Sequence, residues 1–223
     1  MRVAAETPKF AKALQRESGF PIFVAPYPMH GIEPLPYDTG DGPLTVLCGG
    51  SARADKGFFR LEHIVTQANR TIGVQNIRFL IQNLVVKEQL LYRDYVKKLY
   101  CIPNVTLLDG VLSYEEMAES YRQAHLSMMP YSQETYEFRG SAILMESLLQ
   151  GRIVIGQART AFAEQIKYYC GGDVCDSDLD FVEALRLLAE SPRHYLKEQA
   201  DMARRRYLAD VDQAYDNWLG SAK

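Results

Sequence analysis

The chain has 223 residues, 47% of them hydrophobic and 24% charged, with a formal net charge of −3. That length accommodates one large or two small domains, and the composition is that of an ordinary globular protein. The slightly negative balance argues against a dedicated nucleic-acid binder. No apolar run reaches the ~20 residues needed to span a bilayer.

The start, Met1-Arg2-Val3-Ala4-Ala5-Glu6, has no apolar signal core. A cytoplasmic location is therefore expected, with peripheral contact to a membrane left open. Thr7-Pro8 followed by residues 9–16 reads as a capped helix with proline in its first turn and Gly19 as its stop. Residues 22–25 form a short strand candidate. The Pro- and Gly-rich stretch at 26–43 cannot continue regular structure and reads as a linker.

From Leu44 onward short apolar runs alternate with amphipathic segments. Strands are expected at 44–48, 78–81, 105–108, 126–129, 153–155 and around Val174. Helices are expected at 58–68, 86–100, 114–124, 142–150, 161–168, 179–189 and 193–207. This alternation predicts an α/β fold: a Rossmann-like parallel sheet with helices on both faces. Ligands of such sheets bind at the carboxyl ends of the strands. Three loops fall on that rim, at 49–57, 82–85 and 129–141.

The first rim loop, Gly49-Gly50-Ser51-Ala52-Arg53-Ala54-Asp55-Lys56-Gly57, lies between a strand and a helix. Its glycines permit close approach to a ligand. Arg53 can fork two hydrogen bonds to phosphate oxygens, and Lys56 adds a compact charge. The spacing is neither that of a P-loop nor G-x-G-x-x-G, which disfavours a nicotinamide site. The third loop brings Arg139-Gly140-Ser141 to the start of an apolar helix, where unpaired N–H groups and the helix dipole favour an anion. Glu146 lies on that helix opposite Leu144 and Leu148, at ~100° per residue, with Ser147 and Gln150 as its polar neighbours. A carboxylate there can accept from both hydroxyls of a ribose.

The cysteines (Cys48, Cys101, Cys170, Cys175) and the four histidines show no metal-ligand spacing. Cys48 and His125 read as packed structural residues. The sequence has no G-x-S-x-G and no H-E-x-x-H. A glycoside hydrolase would need paired carboxylates ~5–10 Å apart, which Glu134, Glu137 and Glu146 do not identify.

Several segments taken in order resemble the donor domain of GT-B glycosyltransferases of group 1 (family four). The run Leu44–Cys48 followed by G-G-S-A-R-A-D-K-G-F-F-R-L resembles that domain's opening. Asn104-Val105 through Gly110-Val111, with Glu115-Glu116-Met117 and Tyr121, is similar to the family's "N-V-x-x-x-G-x-v…e-e-m…Y" segment. Glu146-Ser147-Leu148-Leu149-Gln150-Gly151-Arg152-Ile153-Val154 resembles its "E-A-x-x-x-G-x-P-V-V". The resemblance covers residues 44–207.

By that resemblance the chain binds a nucleotide-diphosphate sugar as substrate, without a further cofactor or a divalent metal, for transfer to a glycan or lipid-linked acceptor. Gly50, Ser51, Arg53, Lys56, Arg139, Gly140 and Ser141 would surround the diphosphate. Glu146 would hold the ribose, and the loop around Val111 would face the base. Two departures stand out. Phe138 occupies the place of a second glutamate eight positions before Glu146, and Ser51 stands where the first loop usually has arginine. A non-catalytic nucleotide-sugar-binding module and a GT-B-type sugar-nucleotide epimerase remain alternatives.

The resemblance also implies an organisation: residues 1–43 as the remnant of an N-terminal domain plus linker, 44–207 as the donor domain and 208–223 as a helical tail. The acceptor domain is then expected elsewhere, on a missing segment or a partner chain. The strand at 22–25 is expected to have lost its sheet, and so to be disordered or to pair with a second copy. The tail with Trp218 is expected to lack a contact surface.

Overall fold

A computed structural model describes residues 2–27, 33–84 and 90–220. Eight strands are described: β1 Val3–Ala5, β2 Ile22–Val24, β3 Leu44–Cys48, β4 Ile77–Asn83, β5 Val105–Asp109, β6 Leu126–Met129, β7 Ile153–Gln157 and β8 Gly172–Cys175. The α-helices are α1 Pro8–Ser18, α2 Leu61–Ile72, α3 Leu90–Tyr100, α4 Tyr114–Gln123, α5 Ala142–Leu149, α6 Ala161–Tyr169, α7 Asp178–Glu190 and α8 Arg193–Leu219. The first residues expected in the helix at 86–100, and part of the linker including His30, lie outside the described residues.

Six strands form one parallel sheet in the order β5-β4-β3-β6-β7-β8. Chain order reverses direction between β3 and β6, which creates a topological switch point. The expected α/β fold, with helices on both faces, is therefore observed. β3 is buried along its whole length, and its side chains alternate between two cores. Leu44, Val46 and Cys48 pack with Ile77, Phe79 and Ile81 beneath α2, α3 and α7. On the other face Leu47 meets Leu80, Tyr121 and Ala124, while Met129 and Val154 meet α5, α6 and α8. A strand buried on both faces needs apolar residues at successive positions, as Leu-Thr-Val-Leu-Cys nearly provides.

His125 is buried, as expected, and its Nδ1 accepts the Thr45 N–H at 2.9 Å. Burial lowers its pKa to about 4, so the ring is neutral at physiological pH.

The N-terminal segment departs from expectation. Val3–Ala5 is a strand, and Ile22–Val24 pairs with it in parallel from Val3↔Ile22 to Ala5↔Val24. The strand at 22–25 is thus neither disordered nor unpaired; its partner is Val3–Ala5 of the same chain. The helix expected at 193–207 continues unbroken to Leu219, through residues read as a tail. That continuation has a contact surface. Tyr215 Oη donates to the Pro26 carbonyl at 3.2 Å, next to the bond from Tyr207 Oη, at the end of the expected helix, to the Tyr27 carbonyl at 2.7 Å. Arg2 reaches the Trp218 carbonyl at 3.0 Å. The two ends of the chain hold each other.

Arg152 locks the linker onto this body. It is 1% exposed, and its guanidinium donates to the carbonyls of Tyr121 (2.8 Å), Gln150 (2.7 Å) and Pro36 (2.6 Å). It also lies over the Tyr37 ring, 5.1 Å from its centroid. Burial lowers the Arg152 pKa to about 10, a value that still leaves it charged at neutral pH. Arg152→Met keeps the stem but leaves buried carbonyls without donors, at ~1–3 kcal/mol for each buried group so orphaned. We expect a loss of about 3 kcal/mol in urea denaturation and faster amide exchange around residues 35–37. A loss below about 1 kcal/mol would show that the linker is held by other means.

Candidate functional site

The switch point brings together the loops that follow β3 and β6. Their backbones interlock: the Ser132 N–H donates to the Asp55 carbonyl at 2.8 Å. Gly57, at φ 69°, has no room for a side chain, because a Cβ there would overlap the Pro130 carbonyl. Arg60 pins the same carbonyl at 2.8 Å and reaches Gln157 Oε1 at 2.7 Å, with Asp178 as its ion-pair partner at 2.6 Å. The sequence predicts a helix starting at 58; two short 3-10 turns, Ala54–Lys56 and Phe58–Arg60, precede α2 instead.

Lys56 stands at the centre of this junction. Its Nζ lies where a Cβ on Gly50 would be, at 2.5 Å, and 5.5 Å from the centroid of the Tyr131 ring. Gly50 has φ 101°, so both space and backbone require glycine. Desolvation is the largest influence on Lys56 and lowers its pKa; nearby Arg53 acts in the same direction, and Asp55 and Glu146 oppose them. No ion-pair partner holds this ammonium among the described residues.

Glu146 faces the same space from α5. Desolvation raises its pKa, while a hydrogen bond from Tyr121 Oη (3.3 Å) and the charge of Lys56 pull it down. The neighbours expected for Glu146 were Ser147 and Gln150. Ser147 instead turns inward to Ser127 Oγ at 2.7 Å, and Gln150 Oε1 accepts the Leu35 N–H at 3.2 Å. The 3.6-residue helical period separates Glu146 from Ser147 by ~100°, so adjacency in sequence did not make them neighbours in space.

Arg53 has a partner within its own loop. Its fork is engaged by Asp55 two residues on, Nε to Oδ1 at 2.8 Å and Nη2 to Oδ2 at 2.6 Å. This pair neutralises much of the guanidinium charge and leaves Lys56 as the principal cation. Arg53 also donates to the Tyr136 phenol at 3.4 Å, and the charges of Arg53 and Arg139 both act to lower that phenol's pKa against the larger effect of burial. Arg139 itself is exposed.

Ser141 is buried at the N-cap of α5 but caps no amide with its side chain, unlike the N-cap residues of α1, α4, α6 and α7. The Gly140 N–H is occupied by the Glu6 carboxylate at 2.8 Å, a contact that sequence reasoning did not anticipate.

Gln82 was also missed as a site residue. It is 5% exposed; its Oε1 accepts the Gly50 N–H at 2.7 Å and its Nε2 approaches the Gly110 carbonyl at 3.5 Å. One amide thus spans the loops after β3 and β5, and beside it Val111 is 81% exposed. A lone amide closing the run Ile-Arg-Phe-Leu-Ile was the signal available in the sequence. The structure therefore places Lys56 beside Gly50, Arg53 and Glu146, puts the 139–141 turn at the start of the helix that carries Glu146, and leaves Val111 on the loop after β5.

The sequence matches no protein-family model and no curated protein. Among solved structures the chain is similar to sucrose-phosphate synthase of Thermosynechococcus elongatus, at 17% identity and TM-score 0.72, over 99% of this chain and 59% of that one. It is also similar to the pneumococcal O-GlcNAc transferase GtfA in complex with UDP and GlcNAc, at 14% identity and TM-score 0.63, over 95% and 44%. TarM, at 13% identity and TM-score 0.75, matches over 98% and 42%. This chain spans roughly half the length of the structures it resembles.

The position of Glu146 gives a pH test. A raised native pKa means that the folded state holds this proton more tightly than the unfolded chain does. The corresponding stability is present below the ordinary carboxyl value of 4.5 and is lost as pH rises through the native value. Urea denaturation of wild type and Glu146→Gln from about pH 4 to about pH 7 should show wild type losing stability relative to the variant. A difference independent of pH would contradict the desolvated carboxyl.

In topology and at these similarities, the fold of the chain is the Rossmann-like fold of GT-B glycosyltransferases.

Proposed function

We propose that the chain is the donor-binding half of a glycosyltransferase and holds a nucleotide-diphosphate sugar across the switch point. The observation that carries this reading is the pairing of a desolvated, unpartnered ammonium at Lys56 with a half-buried carboxylate at Glu146, beside glycine backbone and a helix start. A cation partly kept from water, with no direct ion pair and only the charges of Asp55 and Glu146 nearby to offset the burial, is stabilised when an anion arrives. A diphosphate meets that need. The Ser51 amide approaches it from one loop, past Gly50, whose own N–H is held by Gln82 and which leaves room by lacking a side chain, and the turn at Arg139, Gly140 and Ser141 approaches from the other. Glu146 accepts from the ribose hydroxyls, and the Gly110–Val111 turn lies towards the base.

Transfer of the sugar leaves negative charge on the diphosphate, and Lys56 with these backbone donors stabilises that charge as it develops. Arg53, tied to Asp55, contributes less. The acceptor is proposed to be a glycan or a lipid-linked sugar, with its binding groups on a second domain or a partner chain; two of the similar structures contain UDP. The setting is proposed to be cytoplasmic, and no described helix is long and apolar enough to cross a membrane.

A thermal-shift series with UDP-, GDP-, ADP- and dTDP-sugars tests the reading, since a ligand that binds the native state raises the melting temperature with concentration. One nucleotide series should produce a shift that Lys56→Ala abolishes and Arg53→Ala only reduces. An undiminished shift in Lys56→Ala would remove the diphosphate assignment.

A further inference from the structure

At the carboxyl end of β1 the chain enters Glu6 and Thr7 before turning into α1. Thr7 is fully buried and caps α1 by accepting the Phe10 N–H at 3.2 Å. Its hydroxyl also donates to the Phe138 carbonyl at 3.3 Å. Lys9 lies over the Phe138 ring and pairs with Glu137 at 3.6 Å. The start of the chain is therefore seated on residues 137–140, the turn that leads into α5. In that seat Glu6 Oε1 accepts the Gly140 N–H at 2.8 Å, and a Cβ on Gly140 would come within 3.0 Å of the Glu6 carboxyl carbon.

We infer that Glu6 is a built-in anion that occupies the Gly140 amide and competes for it with the phosphate of the ligand, so that ligand binding unseats the N-terminal segment. The inference rests on the nucleotide-sugar reading of the site. A carboxylate on a backbone N–H is a charge-assisted hydrogen bond, strengthened here by the start of a helix. One N–H cannot serve a carboxylate and a phosphate oxygen at full strength, and two anions at such range repel. The seated state therefore lowers apparent affinity by the fraction of molecules in which the amide is free. Residues on β1 and α1, outside the six-stranded sheet, thereby set the occupancy of a site on its rim.

Isothermal titration of the full chain with inorganic pyrophosphate and with UDP, GDP and ADP tests this. Glu6→Gln keeps the shape and removes the charge, and should bind pyrophosphate roughly three- to tenfold more tightly than wild type. Equal or weaker binding by Glu6→Gln overturns the inference; weaker binding would make Glu6 a contact of the ligand. Lys56→Ala separates the two levels. If it binds as wild type does, or if wild type and Glu6→Gln both bind none of the four, the site reading itself falls. If Lys56→Ala loses binding and Glu6→Gln gains none, the site stands and the competition does not. A measurement that needs no variant is hydrogen exchange of wild type, in which saturating pyrophosphate should speed exchange at residues 3–10. Unchanged or slower exchange there contradicts the unseating.

Discussion

The site depends on one constraint, the contact between the backbones of the loops after β3 and β6. The Ser132 N–H on the Asp55 carbonyl and the absent side chain at Gly57 let the two loops touch where the strand order reverses. The Lys56 side chain rises from this junction, and its ammonium fills the space over Gly50. Widening the contact would let water reach Lys56 and remove the desolvation that distinguishes it from a surface lysine. The desolvated cation follows from that close approach, and Glu146 meets it from α5.

The electrostatics divide into groups already satisfied and groups still waiting for a partner. Arg53 with Asp55, Arg60 with Asp178, and Arg152 with its ring of carbonyls are satisfied, and they stiffen the rim and the linker. Lys56 and Glu146 are held apart from full solvation with only weak mutual compensation. Neighbouring groups perturbed by desolvation in this way are the physical signature of a candidate functional site. Glu6 belongs to neither class. It satisfies an amide that a ligand would also use, and it does so from outside the main sheet.

Much of this was legible in the sequence. Leu44–Cys48, between Pro43 and Gly49, and Leu126–Met129, stopped by Pro130, matched their strands end to end. The rim loops followed from strand polarity, Lys56 and Gly50 from their places in the first of them, and Glu146 from its place on the helix after the third. The misses have physical causes. A three-residue strand such as Val3–Ala5 carries no periodicity, so the partner of Ile22–Val24 was invisible. The end of α8 was placed too early because nothing in composition marks position 207; the helix meets no glycine before Gly220. The engagement of Arg53 by Asp55 requires a 3-10 turn that residue types alone do not specify, and the reach of Glu6 to Gly140 spans 134 positions. Spacing rules describe a single element; these contacts arise from the meeting of several.

The most direct measurement is the titration of the Lys56 ammonium by heteronuclear NMR, in the free protein and with saturating pyrophosphate. A desolvated cation awaiting an anion should titrate below an ordinary lysine when free, and its value should rise once the phosphate oxygens are beside it. An ordinary lysine value in the free protein, unmoved by pyrophosphate, would contradict the proposed role of this junction.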